Sequence, residues 1–185
     1  MRAVGWLVGA GLLLGGISQA SDLPETGVPL SALWRTQHVT FLYAGRTSRY
    51  SCDSLADKLR GLLLELGARF DLKVHGLTCD PTHTQVELSF SSPALPPDSS
   101  KAAHQGYSKP VDARFERFTL TTDEFRNFVS ADCELIEEFV RQVLPKLATR
   151  DVRSDIDCTA YRHRSNGSGY LVRGEILRPL PAGAQ

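Results

Sequence analysis

Two stretches of this chain carry the same hydrophobic pattern. After Cys52, apolar residues fall at Leu55, Leu59, Leu62, Leu63 and Leu66. That spacing of three or four makes one apolar helix face. After Cys133 it recurs in Ile136, Val140, Val143, Leu144 and Leu147. The first pattern predicts a helix from Cys52 to Ala68. Asp53 sits in its first turn, where a negative charge favours the helix dipole, and Gly67 is a natural stop. For the second helix the expected N-cap is Asp132, followed by Glu134 in the first turn. Pro145 lies inside the second pattern and has no backbone N–H to donate. A kink or early end is expected there.

A shorter extended run follows each helix pattern. Residues 71–79 hold Leu72, Val74 and Leu77, and residues 151–158 hold Val152 and Ile156. Turn signals come next, Asp80-Pro81 and Asn166-Gly167, and then strands over 84–90 and 170–177. Those strands are expected to stop before Pro93 and Pro179. Upstream of the helices, residues 38–44 and 114–120 read as two more strands. Both halves therefore read β-α-β-β.

Aligning Cys52 on Cys133 without gaps matches Arg60 with Arg141, Leu63 with Leu144, Leu66 with Leu147 and Arg69 with Arg150. Two single-residue gaps later, Cys79 meets Cys158. This is the mark of an internal duplication. The expected fold class is α+β, with two tandem β-α-β-β repeats packed as a pseudo-symmetric pair. The strands form an antiparallel-rich sheet, as one sheet of six or two of three, with the helices on one face. Each unit alone would expose an apolar face, so the two should pack together. The expected organisation is a leader over 1–20, a first repeat over 21–92 with an irregular start through residue 33, a Pro/Ser-rich linker over 93–112, and a second repeat over 113–185 with a short tail. The stretch 91–112, with four prolines, reads as an exposed loop.

The leader bears on the cysteines. Arg2 precedes an apolar, Gly-rich run from Val4 to Ile17, and Ser18-Gln19-Ala20 ends it. That order predicts a secretory signal peptide cleaved after Ala20, and hence an exported protein, periplasmic or secreted. The run is shorter than the roughly 20 residues a membrane-spanning helix needs, so the mature protein is expected to be soluble. Cys52, Cys79, Cys133 and Cys158 would then meet an oxidising compartment, where an even count favours disulfides. Four cysteines allow three pairings, and chain geometry chooses among them. A helix from Cys52 to Ala68 spans about 25 Å, and the following extended run returns by about as much. Cys79 should arrive beside Cys52, and Cys158 beside Cys133. Each link closes a short loop, worth on the order of 3 kcal/mol.

Charge and motifs narrow the function only by exclusion. Lys+Arg and Asp+Glu are both 21, so no cationic excess is available to displace counterions from nucleic acid. Reactive thiols are disfavoured because there is no C-x-x-C. The five histidines form no H-x-x-x-H or H-E-x-x-H pattern, so no metal or other cofactor is expected. No G-x-S-x-G elbow occurs, and Gly167-Ser168-Gly169 falls in a hairpin turn rather than in a phosphate loop. Arg46, Arg49, Arg162, His163 and Arg164 could form a basic loop patch for an anionic partner, against the plainer reading of scattered solvated arginines. The leading expectation is a non-enzymatic, disulfide-stabilised envelope module that binds another envelope protein or component, with sheet edges open to strand addition. One alternative is an exported enzyme with Asp123, Glu124, Arg162 and His163 in a groove between the halves. Another is a self-associating structural protein.

Overall fold

Alternation along the strands decides which side of the sheet is packed. The computed structural model describes residues 26–45, 48–80, 83–96, 106–121, 132–158 and 169–181. In chain order the elements are β1 (Leu30–Tyr43), α1 (Cys52–Glu65), β2 (Lys73–Cys79), β3 (Thr84–Ala94), β4 (Tyr107–Thr121), α2 (Cys133–Gln142), a 3₁₀ turn (Leu144–Lys146), β5 (Thr149–Ile156) and β6 (Tyr170–Pro179). The strands form one six-stranded sheet in the order β2-β3-β1-β4-β6-β5. Every adjacent pair is antiparallel. The architecture is α+β.

Register fixes the packed face. Phe41 stands opposite Val86, Val39 opposite Leu88, and Leu120 opposite Val172. These residues share one buried cluster with Leu55, Leu59, Leu62 and Leu63 of α1 and Leu135, Ile136 and Phe139 of α2. Both helices therefore cover the same side of the sheet. Each fully buried Leu or Phe contributes about 1.5–3 kcal/mol of transfer free energy, so this shared core holds the halves together. A smaller cluster of Ala32, Ala113, Phe115 and Leu177 forms on the opposite side.

Local chemistry sets the helix ends. Ser51 caps α1, its hydroxyl accepting from the Ser54 N–H at 3.2 Å. The helix stops where Gly67 adopts φ +85°, and the Ala68 N–H donates back to the Leu63 carbonyl. α2 ends at Gln142, and Pro145 falls in the 3₁₀ turn that follows, where its missing N–H interrupts no α-helical ladder. Disulfides join Cys52 to Cys79 and Cys133 to Cys158, each with Cα atoms 5.5 Å apart. The first lies tightly on β2, because a Cβ at Gly76 would sit 2.6 Å from the Cys52 sulfur.

The sheet extends beyond the expected strands. β1 begins at Leu30 rather than 38, and Leu30 to Leu33 pair with β4, where an irregular segment was expected. β3 runs through Pro93 to Ala94, and β4 starts at Tyr107, so both ends of the expected linker are sheet. Ser91 to Ala94 are buried, not exposed. β6 likewise runs through Pro179, and the Leu180 N–H bonds to the Asp112 carbonyl at 2.8 Å. The physical reason is common to all three prolines. Pro93, Pro110 and Pro179 each have a single paired neighbour strand in the register. Such edge-like stretches tolerate a proline's missing donor, and its fixed φ suits extended chain. Among the described residues, no helix is long and apolar enough to cross a membrane.

Candidate functional site

The sheet face away from the helices is where outward-pointing residues collect. Among the described residues, two depressions open on it. The larger, of about 480 Å³, lies over β4, β5 and β6 and is lined by Arg117, Thr119, Asp151, Arg153, Arg173 and Glu175, with Phe118 and Gly174 at its floor. The smaller, of about 200 Å³, lies over β1, β2 and β3 and includes Thr36, Arg69, Asp71, Lys73, Ser89 and Ser91.

A bulge builds the larger depression. Arg150 pairs with Glu175, but the next pair is Arg153 with Arg173, so β5 spends one extra residue there. Asp151 adopts φ +53° within this bulge, a left-handed conformation that Asp tolerates better than most residues. Without the extra residue Val152 would face Arg173. With it, two arginines stand directly opposite one another, and like charges in that relation destabilise a sheet. Arg117 lies on the next strand, where it stands opposite Glu175 while Thr119 pairs with Arg173. All three arginines are exposed. Among the described residues none of the three is in an ion pair.

Glu175 is already engaged. It accepts from Arg150 at 2.6 Å and from the Thr26 hydroxyl, and these two bonds hold its carboxyl below the usual glutamate range. Arg150 in turn stacks over the Phe115 ring at 4.0 Å. That leaves Asp151 as the other acid in the lining, against three arginines.

A second polar cluster is buried between the helices. Asp132 occupies the N-cap position of α2, but its side chain makes no cap hydrogen bond. It is 1% exposed and accepts from Lys58 Nζ at 2.9 Å and from the Tyr50 hydroxyl. Burial raises the Tyr50 phenol above its usual range, and donation to Asp132 raises it further. The Tyr43 phenol is raised mainly by burial and then by nearby carboxylates, and Tyr43 meets the Tyr50 ring edge-on at 5.0 Å. A phenol held in its neutral form is no general base, and the acid is spent on its partners. This cluster pins Tyr50 and Lys58 to the start of α2.

Of the basic loop residues singled out above, Arg49 is exposed just ahead of α1. Arg46, Arg162, His163 and Arg164, together with Asp123 and Glu124, lie outside the described residues. The four cysteines are all in disulfides. Arg117 and Arg173 sit at outward positions of alternating strands, a signal that single positions share with any exposed strand residue. Arg153 also lies at an outward position between Val152 and Ser154, but the bulge decides that it stands opposite Arg173. No family model, curated protein or solved structure matches this chain.

Proposed function

We propose that this protein is an exported, non-enzymatic binding module whose recognition surface is the sheet face away from the helices. One observation carries the reading: three arginines that make no salt bridge among the described residues gather in one depression on that face, two of them opposed at a cost to the sheet. Charge is segregated although the chain is formally neutral. The helices carry six acids against three bases, Lys58, Arg60 and Arg141, whereas the strands carry nine bases against six acids. A face so polarised steers an anionic partner and orients it on arrival.

The scaffold reading is a duplication. Strand order from either edge inward runs β2-β3-β1 and β5-β6-β4, and each helix follows the inner strand of its half. One disulfide per half links the helix start to the far end of the following strand, at Cys79 within β2 and at Cys158 two residues past β5. Each half also carries one of the two depressions over its three strands, with Lys73 opposite Ser89 in one and Arg153 opposite Arg173 in the other. On this reading the second copy became basic while the first kept hydroxyls. The leader and the two disulfides support export to an oxidising compartment.

The test is capture from envelope extracts of the native host with three immobilised proteins: the parent, a variant with Arg117, Arg153 and Arg173 changed to Gln, and a helix-side control, Arg60→Gln. A partner retained by the parent and the control but lost by the triple variant supports the reading. Equal retention on all three, or turnover of a small-molecule substrate in place of any stable complex, refutes it.

A further inference from the structure

Resting on that reading, we infer that the depression over β4, β5 and β6 binds a phosphate monoester group, with Arg117, Arg153 and Arg173 donating to its three terminal oxygens. Two features of the backbone point to a ligand of high charge. The β5 bulge brings Arg153 rather than Val152 opposite Arg173, and Asp151 accepts a left-handed conformation within it. Gly174 leaves room for this crossing, since a Cβ there would meet the Arg150 carbonyl, the Phe118 ring and the Val152 Cα, each at 3.1 Å. The chain thus bends one strand to create a like-charge pair that costs stability when empty.

The number and arrangement of donors select the ligand. A single guanidinium satisfies a carboxylate through a two-point fork. Three guanidinium groups from three adjacent strands exceed what one carboxylate can use. A phosphate monoester offers three strong acceptor oxygens and a charge of about −1.5 to −2 at neutral pH. Glu175 stands opposite Arg117 and attracts it, but its oxygens already accept from Thr26 and Arg150, and it offers nothing to Arg153 opposite Arg173. Asp151 leaves the lining with a surplus of positive charge that a dianion would balance. The depression is open, so the phosphate can be carried on a larger molecule that rests on the face.

The experiment is an NMR titration of the oxidised protein, following arginine Nε–Hε resonances with inorganic phosphate, with acetate and with chloride at matched ionic strength. The inference predicts saturable shifts of the Arg117, Arg153 and Arg173 side chains with phosphate alone. It predicts at least tenfold weaker binding in the Arg153→Gln/Arg173→Gln variant, whose fold is checked by its disulfides and circular dichroism. Partial recovery with lysine at both positions is expected. A second arm uses co-sedimentation with phosphatidic acid vesicles against phosphatidylcholine vesicles. Co-sedimentation that the double variant loses assigns the phosphate to a lipid headgroup. Its absence beside saturable phosphate binding assigns it to a soluble phosphorylated molecule. Shifts equal with acetate or chloride, or unaltered in the double variant, overturn the inference. If they do so while the triple variant still loses its envelope partner, the binding face stands and the phosphate assignment falls.

Discussion

Removing the charge on Lys58 isolates the contact that ties α1 to α2. The Asp132 side chain is 2% exposed, and Lys58 is 20% exposed. Taking one partner from a fully buried ion pair costs about 3–5 kcal/mol, because the remaining charge is left without compensation. Water reaches part of Lys58, so Lys58→Met should fall near the lower end, about 3 kcal/mol. Asp132→Asn keeps an acceptor for the Tyr50 hydroxyl and frees Lys58 to be hydrated. Its cost should be smaller, about 1–2 kcal/mol. With both changes present no charge is stranded, and the double variant should be more stable than the sum of the singles implies by about 1–2 kcal/mol. Urea unfolding followed by Trp34 fluorescence reads all four corners of the cycle. Against a total stability of about 5–15 kcal/mol, these shifts are large. A cost under about 0.5 kcal/mol for Lys58→Met, the range of ordinary surface changes, would refute the account of a pinned helix pair. So would strict additivity of the two changes.

Three further outcomes follow from the geometry. Gly76→Ala pushes a Cβ to 2.6 Å from the Cys52 sulfur, so it should destabilise the oxidised protein by about 1–3 kcal/mol; in a Cys52→Ala/Cys79→Ala background, denaturation should show most of that penalty gone. Replacing both Cys133 and Cys158 by serine opens a link spanning 25 positions and should cost about 3 kcal/mol in the urea midpoint. Tyr43 and Tyr50 have phenols raised by burial, whereas unfolded tyrosines ionise near pH 10, so the stability they contribute is complete below that pH and is lost as pH rises above it. Absorbance at 295 nm should then show these two of the five tyrosines ionising only as circular dichroism reports unfolding, and all five titrating near pH 10 with the fold intact would contradict this.

Periodicity made the helices legible, and helix length made the cysteine pairing legible. The stripe from Leu55 to Leu66 needs one apolar face, and that face lies on the sheet. The early end expected near Pro145 is found: α2 stops at Gln142 and the proline falls in the 3₁₀ turn that follows. The outer parts of the sheet are obscured in the sequence because proline usually marks the end of a strand. Pro93, Pro110 and Pro179 are each paired on one side only, a condition that depends on neighbours distant in the chain. Asp132 holds the expected N-cap position, but its carboxylate is taken by Lys58 and Tyr50 and makes no cap hydrogen bond. The site was hidden for a related reason. Arg117 and Arg173 are ordinary outward positions when read singly. Their significance comes from strand order, and Arg153 is set opposite Arg173 by a bulge that no alternation pattern announces.

The central claim is that the arginine face is kept for a partner at a cost to the free protein. Its most direct test is the stability of Arg173→Gln relative to the parent. Two charges about 7 Å apart in water repel by about 0.6 kcal/mol. The variant should therefore be more stable than the parent by about 0.5 kcal/mol in urea at 10 mM ionic strength, and the gain should vanish at 1 M salt. A variant less stable than the parent at low salt, or a difference that salt leaves unchanged, would contradict the claim.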